Sequence, residues 1–290
     1  MNFLPRISLL LLTGFSVSSL LSSIGFSQSL LPESPVSSSL GNSLIGLPSE
    51  ISFTPNPSQC RADSLHPLHG AFAYTPFVGG LKDASLSAAE GIYYSQLIGS
   101  SIGVGAANLS YGDLYSDLVV YASLSKTFSL ANNRQAFAGI RLRYETLGTT
   151  LDYPKLHFLF IDIGLGFNLT GEFTLGAAAL NLLGAKYQVI SSETEKLARS
   201  FLLGIAYCPI AIPVKLLTSL EENPEQPLAF QFGAEFDPVG YLALRIGTST
   251  DTGNITTGIG INYSNISFDV GSRFDKALGP VFSFGASGAW

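Results

Sequence analysis

Charged residues are scarce in this 290-residue chain. They make up 12% of it, against about 25% in a typical soluble domain. The net charge is −6, and the fifteen basic residues are scattered without forming a patch, which argues against nucleic acid as a partner. The mean hydropathy of +0.33 is high for a soluble protein.

Histidine and cysteine, which build most metal sites and many catalytic ones, are also scarce. The three histidines lack ligand spacing, so we expect no metal and no cofactor. The stretch "GASGA" (285–289) is not the Gly-x-Ser-x-Gly pattern of a hydrolase nucleophile, and His157 is the only histidine in a predicted strand. We therefore expect no enzyme. Cys60 and Cys208 are an even count that allows one disulfide, with two free thiols as the default.

A long hydrophobic run occurs only at the N-terminus. Met1–Arg6 is positively charged, Ile7–Val17 is apolar, and small residues follow in "GFSQS". This pattern predicts a signal peptide over 1–27, cleaved after Ser27. The alternative is a membrane helix over Ile7–Phe26, which six serines dilute. No other segment approaches the ~18–20 apolar residues that a membrane helix needs.

Beyond residue 70, hydrophobic residues recur at every second position. In "GIRLRYE" (139–145), Ile140, Leu142 and Tyr144 alternate with Arg141, Arg143 and Glu145. Period-two alternation predicts strands, about fourteen between 70–76 and 280–290. Many approach the ~9–11 residues of a tilted membrane strand. Short connections such as 169–172, 209–212, 237–240 and 264–265 alternate with longer polar loops at 146–154, 184–199, 221–227 and 248–254.

This arrangement predicts an all-β fold, a transmembrane antiparallel up-and-down β-barrel of about fourteen strands over 70–290. Short turns on one side and longer loops on the other are typical of an outer-membrane barrel, and an even strand number leaves both termini on the periplasmic side. The alternative is a soluble β-barrel or sandwich, whose outward face would carry more Lys and Glu than the Gly, Ala, Ser and Asn found here.

The last ten residues, "VFSFGASGAW", place three aromatic residues on one face of the final strand: Phe282, Phe284 and Trp290. This resembles the C-terminal assembly signal of bacterial outer-membrane proteins. We therefore expect the outer-membrane lipid and the barrel assembly machinery as partners.

Four parts of the chain are similar to the PorV/PorQ-type outer-membrane family, distant relatives of the FadL-like transporters. They are "SLGNSLIGLPSEISFTPNPSQC" (39–60), where Asn56 and Pro57 correspond to the family's Asn-Pro-Ala and Ser58 replaces its Ala, together with 107–128, 138–184 and the terminal strand. The resemblance implies a monomeric barrel in the bacterial outer membrane, with the N-terminal segment 28–69 entering the lumen as a plug. A disulfide between Cys60 and Cys208 would then join plug and wall.

The same resemblance implies two functions. PorV-like members work with the type IX secretion machinery and accept exported cargo, whereas FadL-like members pass hydrophobic small molecules. We expect first a secretion- or assembly-associated barrel acting through protein interaction. The alternative is a passive channel for small or hydrophobic solutes, and an outer-membrane enzyme comes third.

Charged side chains within the strands are expected to face the lumen, because Arg costs roughly 2–4 kcal/mol on the lipid face at the midplane. They form either an internal salt-bridge network that holds the plug or a polar constriction that screens solutes. The predicted lumen residues are Arg141, Arg143, Glu145, Asp162, Lys215, Gln231, Glu235, Arg245, Asp269 and Arg273.

Overall fold

A computed structural model describes residues 34–47, 53–76, 83–112, 115–149, 155–188, 194–224, 226–251, 253–275 and 279–290. Within them, fourteen strands form a closed barrel. The first seven are β1 (Leu68–Pro76), β2 (Ala84–Ser95), β3 (Ser100–Tyr111), β4 (Tyr115–Ser129), β5 (Gln135–Thr149), β6 (Leu156–Asn168) and β7 (Phe173–Leu180). The other seven are β10 (Ser200–Tyr207), β11 (Val214–Glu222), β12 (Ala229–Val239), β13 (Leu242–Ser249), β14 (Ile255–Tyr263), β15 (Ile266–Asp275) and β16 (Gly279–Ala289).

Each barrel strand pairs antiparallel with its neighbours along the chain, and β7 pairs directly with β10. The barrel closes where β1 pairs with β16, from His69 opposite Ala289 to Tyr74 opposite Phe284. Closure removes the unpaired edges that an open sheet would leave. The fourteen-stranded antiparallel barrel predicted from the alternation is therefore confirmed.

One predicted connection contains structure of its own, and another was wrong. The loop predicted at 184–199 contains a two-stranded sheet of its own, β8 (Lys186–Gln188) with β9 (Thr194–Lys196), which is too short to show as alternation. The turn predicted at 237–240 belongs largely to β12, whose register shifts between Phe236 and Val239. Pro238 lies in this irregularity, where a missing ladder hydrogen bond is tolerated.

The outward face of the wall is apolar on all sides. Each of the fourteen barrel strands exposes at least one large hydrophobic side chain. In β5, Ile140, Leu142 and Tyr144 are exposed, whereas Arg141 and Arg143 are buried inside. A soluble barrel would place its polar face towards water, so the soluble alternative does not fit this surface. The described helices include none that is long and apolar enough to cross a membrane.

The C-terminal aromatic residues lie at the seam of the barrel. Phe282 and Phe284 point outward from β16. Trp290 follows the strand, and its backbone N–H and carbonyl bond to Leu68 at 2.8 and 2.9 Å. This places the three side chains on the apolar outer surface, and their role as an assembly signal stays a prediction.

Both chain ends of the barrel lie at one rim, here called the terminus side, and the opposite rim is the loop side. The signal peptide predicted over 1–27 lies outside the described residues. Residues 34–47 and 53–62, here called the lumen segment, lie inside the barrel and are largely buried. The chain then becomes exposed around 64–66 before β1 begins at Leu68.

Candidate functional site

The lumen segment folds into three short helical turns that pack on different parts of the wall. Helix α1 (Pro35–Ser39) lies against β13–β16, and its first turn is capped by Ser34, whose hydroxyl accepts from the Ser37 N–H at 2.9 Å. A 3-10 turn at Leu44–Gly46 contacts β7, β10 and β11, and a second at Pro57–Gln59 contacts β4–β6. The segment therefore touches most of the barrel circumference.

Glycines in the wall allow the backbone of the lumen segment to approach it closely. Gly176 in β7 and Gly204 in β10 face the turn containing Ile45 and Gly46. A Cβ atom at Gly204 would lie 2.7 Å from the Gly46 nitrogen, and one at Gly176 would overlap the Ile45 carbonyl. Only glycine lets two backbones come this near, so these positions fix where the segment can sit.

Asn56 joins the two halves of the lumen segment to each other and to the wall. Its side-chain amide donates to the carbonyls of Ile45 at 3.2 Å and of Leu165 in β6 at 3.1 Å. Its side-chain oxygen accepts from the Ser58 backbone N–H at 3.1 Å and from the Ser58 hydroxyl at 2.8 Å. Asn56 is fully buried, so its side chain meets its hydrogen-bonding needs with protein groups.

Glu90 in β2 and Arg141 in β5 both hold the second half of the segment. The Phe53 N–H donates to Glu90 at 2.7 Å, and the Cys60 thiol donates to the same carboxylate at 3.2 Å. Arg141 donates to the Thr54 carbonyl at 2.7 Å. Burial, with Glu90 beside it, raises the pKa of the Cys60 thiol well above its ordinary value. The thiol therefore serves as a hydrogen-bond donor in this environment.

The disulfide considered between Cys60 and Cys208 is not formed. Both are free thiols, and the Cys60 sulfur lies 3.1 Å from the hydroxyl of Ser123 in β4. Cys208 follows β10, where its backbone N–H donates to the Glu172 carbonyl, and burial raises its thiol pKa as well. The two cysteines belong to different parts of the lumen, which spacing in the sequence cannot show.

Most of the predicted lumen charges fall into two groups. In the first, Arg143 contacts Asp162 through two hydrogen bonds of 2.6 and 3.1 Å, with both side chains fully buried. The Asn181 N–H donates to the same carboxylate at 3.0 Å, and the Arg143 guanidinium lies 4.6 Å from the centre of the Phe160 ring. Glu145, also buried, follows on the same inward face of β5.

The second group lies near the terminus side. Glu235 pairs with Arg245 at 2.5 Å and also with Lys215, and Arg245 pairs with Asp269 at 2.6 Å. The Lys215 amine also lies 3.2 Å from Asp237. Alternating signs let each carboxylate accept charge-assisted hydrogen bonds, so four predicted residues form one chain of contacts.

Gln231 and Arg273 lie outside these two groups. Gln231 is buried in β12, accepts from the Ser219 hydroxyl at 2.7 Å and donates to Glu221 at 3.2 Å. Arg273 lies in β15 opposite Thr256 and is half-buried. The predicted residues thus lie inside the barrel without converging on one point.

The sequence interpretation missed two buried carboxylates, Glu90 in β2 and Asp117 in β4. Glu90 holds the lumen segment, and one carboxylate oxygen of Asp117 has no hydrogen-bond partner among the described residues. The rule applied to β5, that a charge within a strand faces the lumen, would have found both.

A chamber of about 390 Å³ lies between the lumen segment and the terminus side. One part of its wall is apolar, with Val36, Leu47 and Phe53. The other part carries the second charged group, including Glu235 and Arg245. A cavity with both kinds of wall can accommodate a small molecule that is mainly apolar.

Comparison with known proteins identifies the architecture. No protein-family model and no curated protein matches the sequence. The fold is similar to a Pseudomonas aeruginosa FadL homologue, at 10% identity over 90% of this chain and 99% of that chain, with a TM-score of 0.62. It is also similar to the Ralstonia pickettii toluene transporter TbuX, at 13% identity, 90% and 98% coverage and a TM-score of 0.59.

A third similar structure is the Pseudomonas putida toluene transporter TodX, at 10% identity, 90% and 98% coverage and a TM-score of 0.58. At such identities the likeness concerns the fold alone. Of the two resemblances drawn from sequence, the FadL-like one agrees with these structures, and the PorV/PorQ one stays a prediction. The chain is a closed fourteen-stranded barrel whose fold is similar to that of FadL-type outer-membrane proteins.

Proposed function

We propose that this chain is a bacterial outer-membrane barrel that passes small hydrophobic solutes, and that the lumen segment controls the passage. The observation that carries the proposal is the partly apolar chamber on the terminus side of the lumen segment. The apolar outer surface suits a membrane location. Two of the similar barrels are toluene transporters, which suggests the class of solute.

The proposed resting state is plugged. The lumen segment contacts β4–β7, β10, β11 and β13–β16, and hydrogen bonds from Asn56 and Arg141 hold it in place. Passage then requires part of this segment to move. The lumen segment packs closely against glycines of the wall. A small displacement of the segment is enough to lose the attraction of these contacts.

Uptake of radiolabelled toluene tests this proposal in cells whose own hydrocarbon channels are deleted. Expression of the chain is expected to raise the initial uptake rate. Ala243→Phe, which places a ring in the chamber from β13, should reduce that rate. Ala234→Phe, on the outward side of β12, is the matched control. Unchanged uptake with the barrel present in the outer membrane would refute the proposal.

A secretion-associated role is the second candidate, favoured by the PorV/PorQ-like sequence at 39–60 and 138–184. It predicts copurification of secretion components or exported cargo with the mildly solubilised barrel. It also predicts that Ala243→Phe leaves this association intact, because such partners would bind outside the chamber. Copurification without toluene uptake would favour this role over the channel.

A further inference from the structure

A groove of about 770 Å³ crosses the outer wall from β5 to β12. Each side of the groove is a row of outward-facing residues that lie opposite one another on consecutive strands. The two rows are two residues apart along each strand. The first row runs Ala138, Leu165, Ala177, Leu203, Leu220 and Phe230. The second row includes Ala136, Phe167, Leu175, Ile205 and Thr218. The groove therefore follows the direction of the inter-strand hydrogen bonds.

Small outward residues make this strip a depression. Ala136, Ala138, Ala177 and Thr218 stand among larger neighbours such as Leu165 and Phe167, as their places in the groove lining show. Because these side chains are short, both rows are low at these positions, and the space between the rows is open to the outside of the barrel. Among the described lining residues none is charged, and Thr218 carries the one hydroxyl on the outward face.

The floor of the groove is backbone. Gly166, Gly176 and Gly204 pair across β6, β7 and β10 between the two rows. On the inside, the lumen segment packs on Gly176 and Gly204 through Ile45 and Gly46. One layer of backbone therefore separates the groove from the lumen segment, and the floor is supported from within.

We infer that this groove binds an acyl chain of a membrane lipid. The groove is continuous with the apolar outer surface, where lipid is the neighbouring material if the proposed membrane location holds. From β5 to β12 it crosses five inter-strand spacings, about 24 Å at ~4.8 Å each. An acyl chain spans one leaflet, about 15 Å of the ~30 Å hydrocarbon core, and so fits within that length.

The direction of the groove also suits an acyl chain. Barrel strands are tilted by ~35–45° from the membrane normal. A groove perpendicular to them therefore descends obliquely into the bilayer, as a tilted acyl chain does. An acyl chain lying between two rows of side chains contacts more apolar atoms of the barrel than one lying on a flat wall would, and each contact adds dispersion attraction. This favours a longer residence of the lipid.

Photo-crosslinking of the full chain in phosphatidylethanolamine vesicles tests this inference. A fraction of the lipid carries a diazirine in its acyl chain, and peptide mass spectrometry locates the adducts. Adducts at Leu165, Ala177 and Leu203 are expected to exceed those at the outward residues Ile259 and Phe268 about tenfold, or ~1.4 kcal/mol of preference. Ala138→Phe with Ala177→Phe should abolish the excess at Leu203, and the outward control Ala122→Phe should preserve it.

Adducts spread evenly around the wild-type barrel would overturn the inference without any variant being needed. So would a dimer in native mass spectrometry whose adducts at the groove are lost, because a second copy would then occupy it. Heat-modifiable gel mobility reports barrel folding and vesicle flotation reports insertion. An inserted barrel with even labelling refutes only the lipid groove, whereas failure to insert refutes the proposed membrane function itself.

Discussion

Removal of Arg143 is expected to destabilise the barrel strongly, because it leaves a buried carboxylate without its cation. Arg143 and Asp162 are fully buried and joined by two hydrogen bonds of 2.6 and 3.1 Å. Breaking a buried pair by removing one partner costs about 3–5 kcal/mol, whereas replacing both partners with apolar residues is often neutral. In Arg143→Met, Asp162 retains the Asn181 N–H at 3.0 Å, so the lower half of that range is expected.

Equilibrium urea unfolding in detergent micelles measures the effect, with Leu142→Met on the lipid-facing side of the same strand as control. The double variant Arg143→Met with Asp162→Leu is expected to regain most of the lost free energy of unfolding. A loss below about 1 kcal/mol for Arg143→Met would show that the pair is not buried as described. The argument from an uncompensated charge would be refuted if the double variant lost as much free energy of unfolding as Arg143→Met and Asp162→Leu lose together.

Three further outcomes follow from the lumen segment. Gly176→Ala, whose Cβ would overlap the Ile45 carbonyl, should raise ion conductance in planar bilayers, and Gly91→Ala, with open space around its Cβ, should not. Asn56→Ala should weaken the attachment of the lumen segment to the wall by about 2–4 kcal/mol, because four hydrogen bonds are lost. Amide hydrogen exchange over 53–62 should become faster, and unchanged exchange would contradict this. Cys60, whose pKa burial raises, should resist iodoacetamide at about pH 8 until urea is added, because the thiolate is the reactive form.

The strands could be predicted because the residue pattern of each strand depends only on what lies on its own two faces. Lipid on one side and lumen on the other impose period two within a single segment, as in Ile140–Glu145. The same alternation assigned Arg141 and Arg143 to the lumen. It could do so because a charge in lipid is costly wherever the strand lies in the barrel.

The contacts between strands could not be predicted in the same way. Which residue lies opposite which depends on register, and a slip of two residues would preserve the alternation. Gly166, Gly176 and Gly204 form a row only in the observed register. The docking of the lumen segment and the outer groove both depend on that row, so neither is visible in one strand alone.

The seam between β1 and β16 has a consequence for the order of assembly. These strands are the first and last of the barrel, and their pairing closes it. The lumen segment precedes β1 in the chain, so it is synthesised before any wall exists to enclose it. Because contacts distant in sequence form slowly, the seam is expected to form late. The lumen segment would then already lie between the two halves of the barrel wall. The enclosed chain can then act as an internal template on which the wall is completed.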